Sequence, residues 1–231
     1  NLHYINNDDI DIVYSILPDT FAQIDGDNCD YIPGFYVEIA DASGCISRSS
    51  VTTLNLLDTI SPPTVVIKDI SVNSLGRSVI SWLLSPGADY YIVYIEDING
   101  AWITLDTVAL GTNSYEFVNS SAFQEVENFS VRAVDSCGNS RIRSLEHNSI
   151  FLVNGSDVCD YSVSLVWNDY INWENGVSHY KVFLLEIDQN NVSTNTEIRV
   201  SSATELLMSN INFSSTYSVY IEAYNDDSTF I

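Results

Sequence analysis

The feature that most constrains this chain is an order of short segments that it writes twice. A run carrying one tryptophan comes first, SVISWLL at 78–84 and SVSLVWN at 162–168. Two alternating apolar and polar runs joined by a turn follow. They are YYIVYIED (90–97), ING and AWITLDTV (101–108), then HYKVFLLEID (179–188), QNN and VSTNTEIRV (192–200). Asn99–Gly100 marks the first turn, because a two-residue hairpin turn wants positive φ at both positions and these residue types accept it. A late run closes each copy, FSVRAVD at 129–135 and YSVYIEAYN at 217–225. Trp82 stands 51 residues before Ala133 and Trp167 stands 56 residues before Ala223, so order and spacing repeat together. Period-two alternation buries one face of each run, and short strands at this spacing predict antiparallel β-sandwiches.

The late run occurs a third time as FYVEIADASGCISRSS at 35–50, again ending on an Asp and a turn. Two joints separate the copies. DTISPPT (58–64) is proline-rich, and adjacent prolines lack amide donors and stiffen a linker. LVNGSDVCD (152–160) is a shorter joint. The expected organisation is a partial sandwich over 1–59, a second over 60–152, and a third over 153–231 that lacks its last strand. The first residues have neither the basic start nor the apolar centre of a signal peptide. The chain thus reads as a fragment cut from something longer, through folded units at both ends.

Composition narrows the classes. Apolar residues make up 45% of the 231 residues, enough for cores, and fourteen Tyr against one Met favour strands over helices. No apolar run is long enough to cross a membrane as a helix. Thirty-one acids face eight bases, a net charge of −23. Such a surface repels nucleic acid, whose binding relies on Lys and Arg, and disfavours anionic membranes. A solvated acidic coat is the favoured reading and calcium ligation the sharper rival. GDNCD at 26–30, with Asp25, Asp27 and Asp30 close together, has the oxygen density of a Ca²⁺ loop. It lacks the full EF-hand spacing and the closing Glu, so no cofactor is assigned.

The copies resemble fibronectin type III domains. Trp82, the Tyr91–Tyr94 strand, and Val131, Ala133 and Asp135 followed by CGN carry the first likeness. Trp167, the Tyr180–Phe183 strand and Tyr217 through Asn225 carry the second. The resemblance implies that each Trp is a core residue and that Tyr217 closes a corner. The first copy departs from it with Glu127 at the corner position. AVDSCGNS and the segment from Cys159 to Phe183 are further similar to tandem modules of large secreted Bacteroidetes proteins. Those proteins are gliding-motility-associated or carry a type IX secretion sorting domain. PGFYVEIADASGC (33–45) resembles a strand of the Ig-like or PKD-like repeats in the same proteins. This implies an extracellular, cell-surface location.

Four cysteines admit three pairings. Cys29 and Cys45 flank one strand pair, and Cys137 and Cys159 flank the second joint, so the expected bonds are Cys29–Cys45 and Cys137–Cys159. A four-cysteine zinc site lacks the closely paired spacing such sites favour. His3, His147 and His179 are isolated, and no metalloprotease, nucleophile-elbow or phosphate-loop motif occurs, so no catalytic residue is assigned. Trp173, in NDYINWENGV, is spare to the cores. It is a candidate ligand contact, against the plainer reading that it packs between modules. Thr59 and Thr107, in DTI and DTV, match the O-glycosylation signal of Bacteroidetes that the resemblance implies. Sequons at Asn119, Asn128, Asn154, Asn191 and Asn212 are expected by chance in so Asn- and Ser-rich a chain.

The function read from these residues is non-catalytic. The chain is a stalk or adhesin segment that presents other domains, with neighbouring modules of the same chain as its partners. Surface glycans and the secretion machinery are further candidate partners. The rivals are a glycan- or protein-binding module built around Trp173, and an accessory segment of a secreted enzyme.

Overall fold

The computed structural model describes residues 2–5, 11–14, 29–31, 34–53, 56–201 and 203–225. Among them are twenty strands and no helix, and every strand pair is antiparallel. The fold class is all-β, as the alternation implies.

The chain forms two compact units, Asn1–Pro62 with Val134–Ser140, and Pro63–Ala133 with Arg141–Ile231. The first holds β1 (Leu2–Ile5), β2 (Asp11–Tyr14), β3 (Asp30–Tyr31), β4 (Gly34–Ala40), β5 (Ile46–Arg48), β6 (Thr52–Thr53) and β7 (Leu56–Leu57). Its main sheet runs β2-β1-β4-β5, β6 also pairs with β4, and β3 pairs with β7. His3 stacks on its cross-strand partner Tyr36, whose hydroxyl lies 2.9 Å from His3 Nδ1.

The second unit contains two sandwiches. The first of them has β8 (Ile67–Val72), β9 (Ser78–Trp82), β10 (Tyr90–Glu96), β11 (Trp102–Ala109), β12 (Ser114–Glu116), β13 (Asn128–Val134) and β14 (His147–Asn148). Their orders are β12-β9-β8 in one sheet and β11-β10-β13-β14 in the other. The second sandwich has β15 (Leu152–Asp157), β16 (Ser162–Trp167), β17 (His179–Ile187), β18 (Ser193–Val200), β19 (Glu205–Ser209) and β20 (Thr216–Tyr224). Its described sheets run β15-β16-β19 and β18-β17-β20.

Each core is built on the repeated Trp and Tyr. Trp82 meets Tyr91 at a ring distance of 5.5 Å, and Trp167 meets Tyr180 at 5.6 Å. Ile67, Ile80 and Trp82 from one sheet pack with Tyr91, Val93, Phe129 and Val131 from the other. Leu165 and Trp167 pack likewise with Tyr180 and Val182. Both tyrosines also bond out of the core, since Tyr91 OH accepts Ser85 N–H and Tyr180 OH accepts Tyr170 N–H. Buried aromatics of this size dominate a small core, and their hydroxyls need partners.

Asp41 and Asp135, which close two of the late runs, belong to a turn device that recurs at Asn73, Asp97 and Asp188. Asp41, Asn73, Asp97, Asp135 and Asp188 each accept, through Oδ1, the N–H groups two and four residues on. The fourth residue of each turn is Gly44, Gly76, Gly100, Gly138 or Asn191, at positive φ. This corrects the expectation for Asn99–Gly100, where Gly100 alone takes positive φ. Asp97 N–H donates to Ala101 O and Gly100 N–H to Asp97 O, a longer loop with one left-handed residue. The Asp97 carboxylate decides the loop, by capping two amides that a two-residue turn would have left without it.

The corners differ as the substitution at 127 demands. Tyr217 OH accepts the N–H of Asn212, 3.2 Å away, and donates to Glu186. Glu127 is buried instead, with Oε2 accepting the hydroxyls of Ser78 and Ser120 at 2.7 Å each, and Oε1 accepting Ser121 N–H at 2.6 Å. A carboxylate thus ties the chain entering β13 back to the preceding loop, as the tyrosine hydroxyl does before β20.

Candidate functional site

The chain passes between the two sandwiches of the second unit at 149–151. This corrects the joint expected over 152–160, where Leu152–Asp157 is strand β15. The segment leaving β16, Asn168-Asp169-Tyr170-Ile171-Asn172-Trp173, packs across the same junction. The N–H of Tyr170 is held by Tyr180, a core residue of its own sandwich. Its ring lies buried in the core of the other, and its hydroxyl accepts Ile70 N–H at 3.0 Å. Trp173 packs on Tyr170 with ring centroids 4.3 Å apart, and its indole N–H donates to Lys68 O at 2.6 Å. Ile70 and Lys68 belong to β8, the outer strand of its sheet. Two side chains therefore take up an edge donor and an edge acceptor that a further strand would otherwise have to satisfy.

The backbone of this segment is held as tightly. Asn148 Oδ1 accepts Ile171 N–H at 2.9 Å while its Nδ2 donates to Asp169 O at 2.7 Å. Asn168 Oδ1 accepts Phe151 N–H at 2.7 Å while its Nδ2 donates to Ser149 O at 3.0 Å. Asn172, at positive φ, donates to Glu146 O. A side-chain amide presents one acceptor and two donors in fixed geometry, so it can pair with backbone as a peptide group does.

His147, buried on β14, completes the joint with Nδ1 3.1 Å from Tyr170 OH. The Tyr170 oxygen accepts Ile70 N–H, and His147 Nδ1 is the one other partner of the hydroxyl among the described residues, so the phenol proton is assigned to it. The ring is then neutral, with its proton on Nε2. Burial agrees with this, lowering the His147 pKa to about 4. Burial also raises the Tyr170 hydroxyl far above its ordinary range, which the Ile70 N–H partly opposes. Burial raises the Asp69 carboxyl as well, with Lys68 opposing.

Beside the joint lies a cleft of about 910 Å³, whose walls include Phe123, Phe151, Tyr170, Trp173, Tyr220 and Glu222. Among the described residues no group of three His, Cys, Asp or Glu side chains is placed to hold a metal.

Of the residues singled out in the sequence, Trp173 sits between the sandwiches with its N–H engaged, so its body serves the joint. Cys29 bonds to Cys137, with Cα atoms 4.7 Å apart, and both lie in the first compact unit. Cys45 and Cys159 are free and exposed. The pairing expected from sequence proximity is thus corrected. A disulfide requires Cα atoms within about 7 Å, and the fold brings the 134–140 loop to Cys29. Thr59 and Thr107 are exposed, Thr107 on β11. Asp25 and Asp27 lie outside the described residues, and Asp30 pairs with Leu57 through β3 and β7. Asn119, Asn154, Asn191 and Asn212 are exposed, while the Asn128 amide donates to Glu96. Sequence reading missed Tyr170, Asn148, Asn168 and His147. The one available signal was a second large aromatic three residues before Trp173 in a loop that needs none.

No protein-family model and no curated protein matches this chain. Solved structures do. A Fn3-like protein from Clostridium thermocellum matches at 21% identity over 41% of this chain and 95% of its own, with a TM-score of 0.34. The FN1–FN3 domains of chicken CNTN1 match at 15% identity over 97% and 85%, with a TM-score of 0.33. A tetra-tandem repeat in the extending region of a large adhesion protein matches at 13% identity over 97% and 66%, with a TM-score of 0.36. Strand order and the paired Trp–Tyr cores define the all-β sandwich fold.

Proposed function

We propose that this chain is a non-catalytic spacer segment, a series of β-sandwiches whose joints hold neighbouring modules in register and so present other domains of a longer protein. The observation that carries this reading is the joint itself. Tyr170 and Trp173 of one sandwich close the β8 edge of the other, and two asparagines lock the connecting backbone. A joint made of a buried tyrosine, a partly buried tryptophan and satisfied backbone groups resists bending far better than a solvated linker. A spacer of this kind suits an exported surface protein or adhesin. The Cys29–Cys137 bond supports an oxidising exterior. The sequence resemblance supports the narrower placing among type IX-secreted, gliding-motility-associated Bacteroidetes proteins.

NMR relaxation on the full chain tests the reading. If the joint is stiff, amides of β9 and β10 and amides of β16 and β17 share one rotational diffusion tensor. Separate tensors for the two sandwiches would overturn the spacer function.

A further inference from the structure

We propose that the joint between the two sandwiches is an acid-released lock: protonation of His147 ejects the Tyr170 hydroxyl from its site and frees the 168–173 segment from β8. The geometry leaves few alternatives. With the phenol proton on the His147 Nδ1 side, Tyr170 OH donates to the imidazole and accepts Ile70 N–H, and no other partner of the hydroxyl occurs among the described residues. A proton on Nδ1 would set two donors against each other inside a buried contact whose rings lie 5.6 Å apart. No neighbouring group relieves this. The charged side chains on the elements packed around His147 are Lys68 and Asp69 on β8, Glu127 and Arg132 at β13, Asp169 and Glu174 in the crossing segment, and Glu146 beside it. None forms an ion pair with His147 among the described residues. Glu127 is already engaged by Ser78, Ser120 and Ser121.

The sign follows from the lowered proton affinity of the docked imidazole. Docking is fully favoured above the ordinary His pKa of 6.5 and weakens as pH falls toward about 4, because only the released state binds the extra proton. Each pH unit in that window shifts the equilibrium roughly tenfold toward release. The consequence is a joint that stiffens near neutrality and loosens in acid while both cores stay folded. It goes beyond the spacer reading, and the test reads local opening only, so it can fail while common tumbling survives.

Hydrogen exchange of the Ile70 amide, corrected for intrinsic rate, is followed from pH 7 to pH 4 on the full chain, with Val182 as a core reference. The expected result is that Ile70 loses protection roughly tenfold per unit below 6.5 while Val182 does not. In His147→Gln, which cannot take the proton, the slope disappears. In Tyr170→Phe, Ile70 is already unprotected at pH 7. A direct titration of the His147 ring in the unaltered protein stands apart from any folding defect in the variants. An imidazole that protonates near 6.5 with Ile70 still protected overturns the proposal, as does parallel loss at Ile70 and Val182.

Discussion

Asn148 and Asn168 read each other's backbone. Each uses both ends of its side-chain amide, and each contacts the residues one and three positions beyond the other, Asp169 and Ile171 for Asn148, Ser149 and Phe151 for Asn168. The arrangement is reciprocal, and it fixes the register of the crossing segment in a way that apolar packing alone cannot, because hydrophobic contact is non-directional.

This reciprocity predicts strong coupling. Asn148→Ala or Asn168→Ala leaves one part-buried donor and one acceptor unmatched, at about 1 kcal/mol for each variant. Once one amide is gone the segment shifts, so the double variant should cost clearly less than the two singles together. A double-mutant cycle by urea denaturation measures this, and additivity within error would show that the two amides act independently.

The two corners should respond differently to small changes. Glu127→Gln keeps the size of the side chain but turns a donor toward Ser78, Ser120 or Ser121 N–H, and should cost about 1.5–3 kcal/mol, the range for hydrogen bonds to a charged group. Tyr217→Phe removes the bond from Asn212 N–H and the bond to Glu186, both where water can take over, and should cost about 0.5–1.5 kcal/mol. Denaturation midpoints compare them, and an equal or reversed order would show that the Glu127 carboxylate contributes no more than an ordinary polar contact.

The Asp turns carry their own acid response, separate from that of His147. Ser43 holds the Asp41 carboxyl below its ordinary value, the Ala101 and Asn99 amides do so for Asp97, and the Val192 amide does so for Asp188. A carboxyl with a depressed folded pKa contributes stability above its unfolded value, and that contribution is lost as pH falls below about 3.8. Asp97→Asn and Asp188→Asn should therefore flatten stability below pH 4 and leave the region from 6.5 to 4 unchanged. In the same turns, Gly138→Ala forces a side chain into left-handed backbone and should cost about 1–2 kcal/mol.

The disulfide gives a chemical test. Alkylation without reductant should label Cys45 and Cys159 and leave Cys29 and Cys137 protected, and a peptide map should recover 29 linked to 137. Cys29→Ser should destabilise by about 2–5 kcal/mol, since the bond closes a span of 108 residues. Recovery of a 29–45 or 137–159 peptide would refute the pairing.

Much of the fold was legible in the residues. Period-two alternation, one Trp per early strand and a repeated order of hairpin and late strand are local signals. The resemblance implied core positions for Trp82 and Trp167, and both are buried; Tyr91 and Tyr180 are buried with them, which alternation alone does not tell apart from Tyr220, exposed on β20. The Asp that ends the late run is a visible turn signal, yet Asn99–Gly100 does not form the two-residue turn its residue types favour. The choice between loops was made by a carboxylate two residues upstream reaching forward to two amides.

The sequence by itself determined the class, an all-β chain of repeated sandwiches, because strand formation follows from patterning within ten residues. Tertiary structure alone decided what joins the pieces. Cys29 meets Cys137 across 108 residues, and Trp173 meets Lys68 across 105. Tyr170 leaves its own sandwich to bond Ile70 and His147. Contacts at such separation have no local period to announce them. They arise only after the strands have paired and left particular edge groups, N–H of Ile70 and C=O of Lys68, in need of partners.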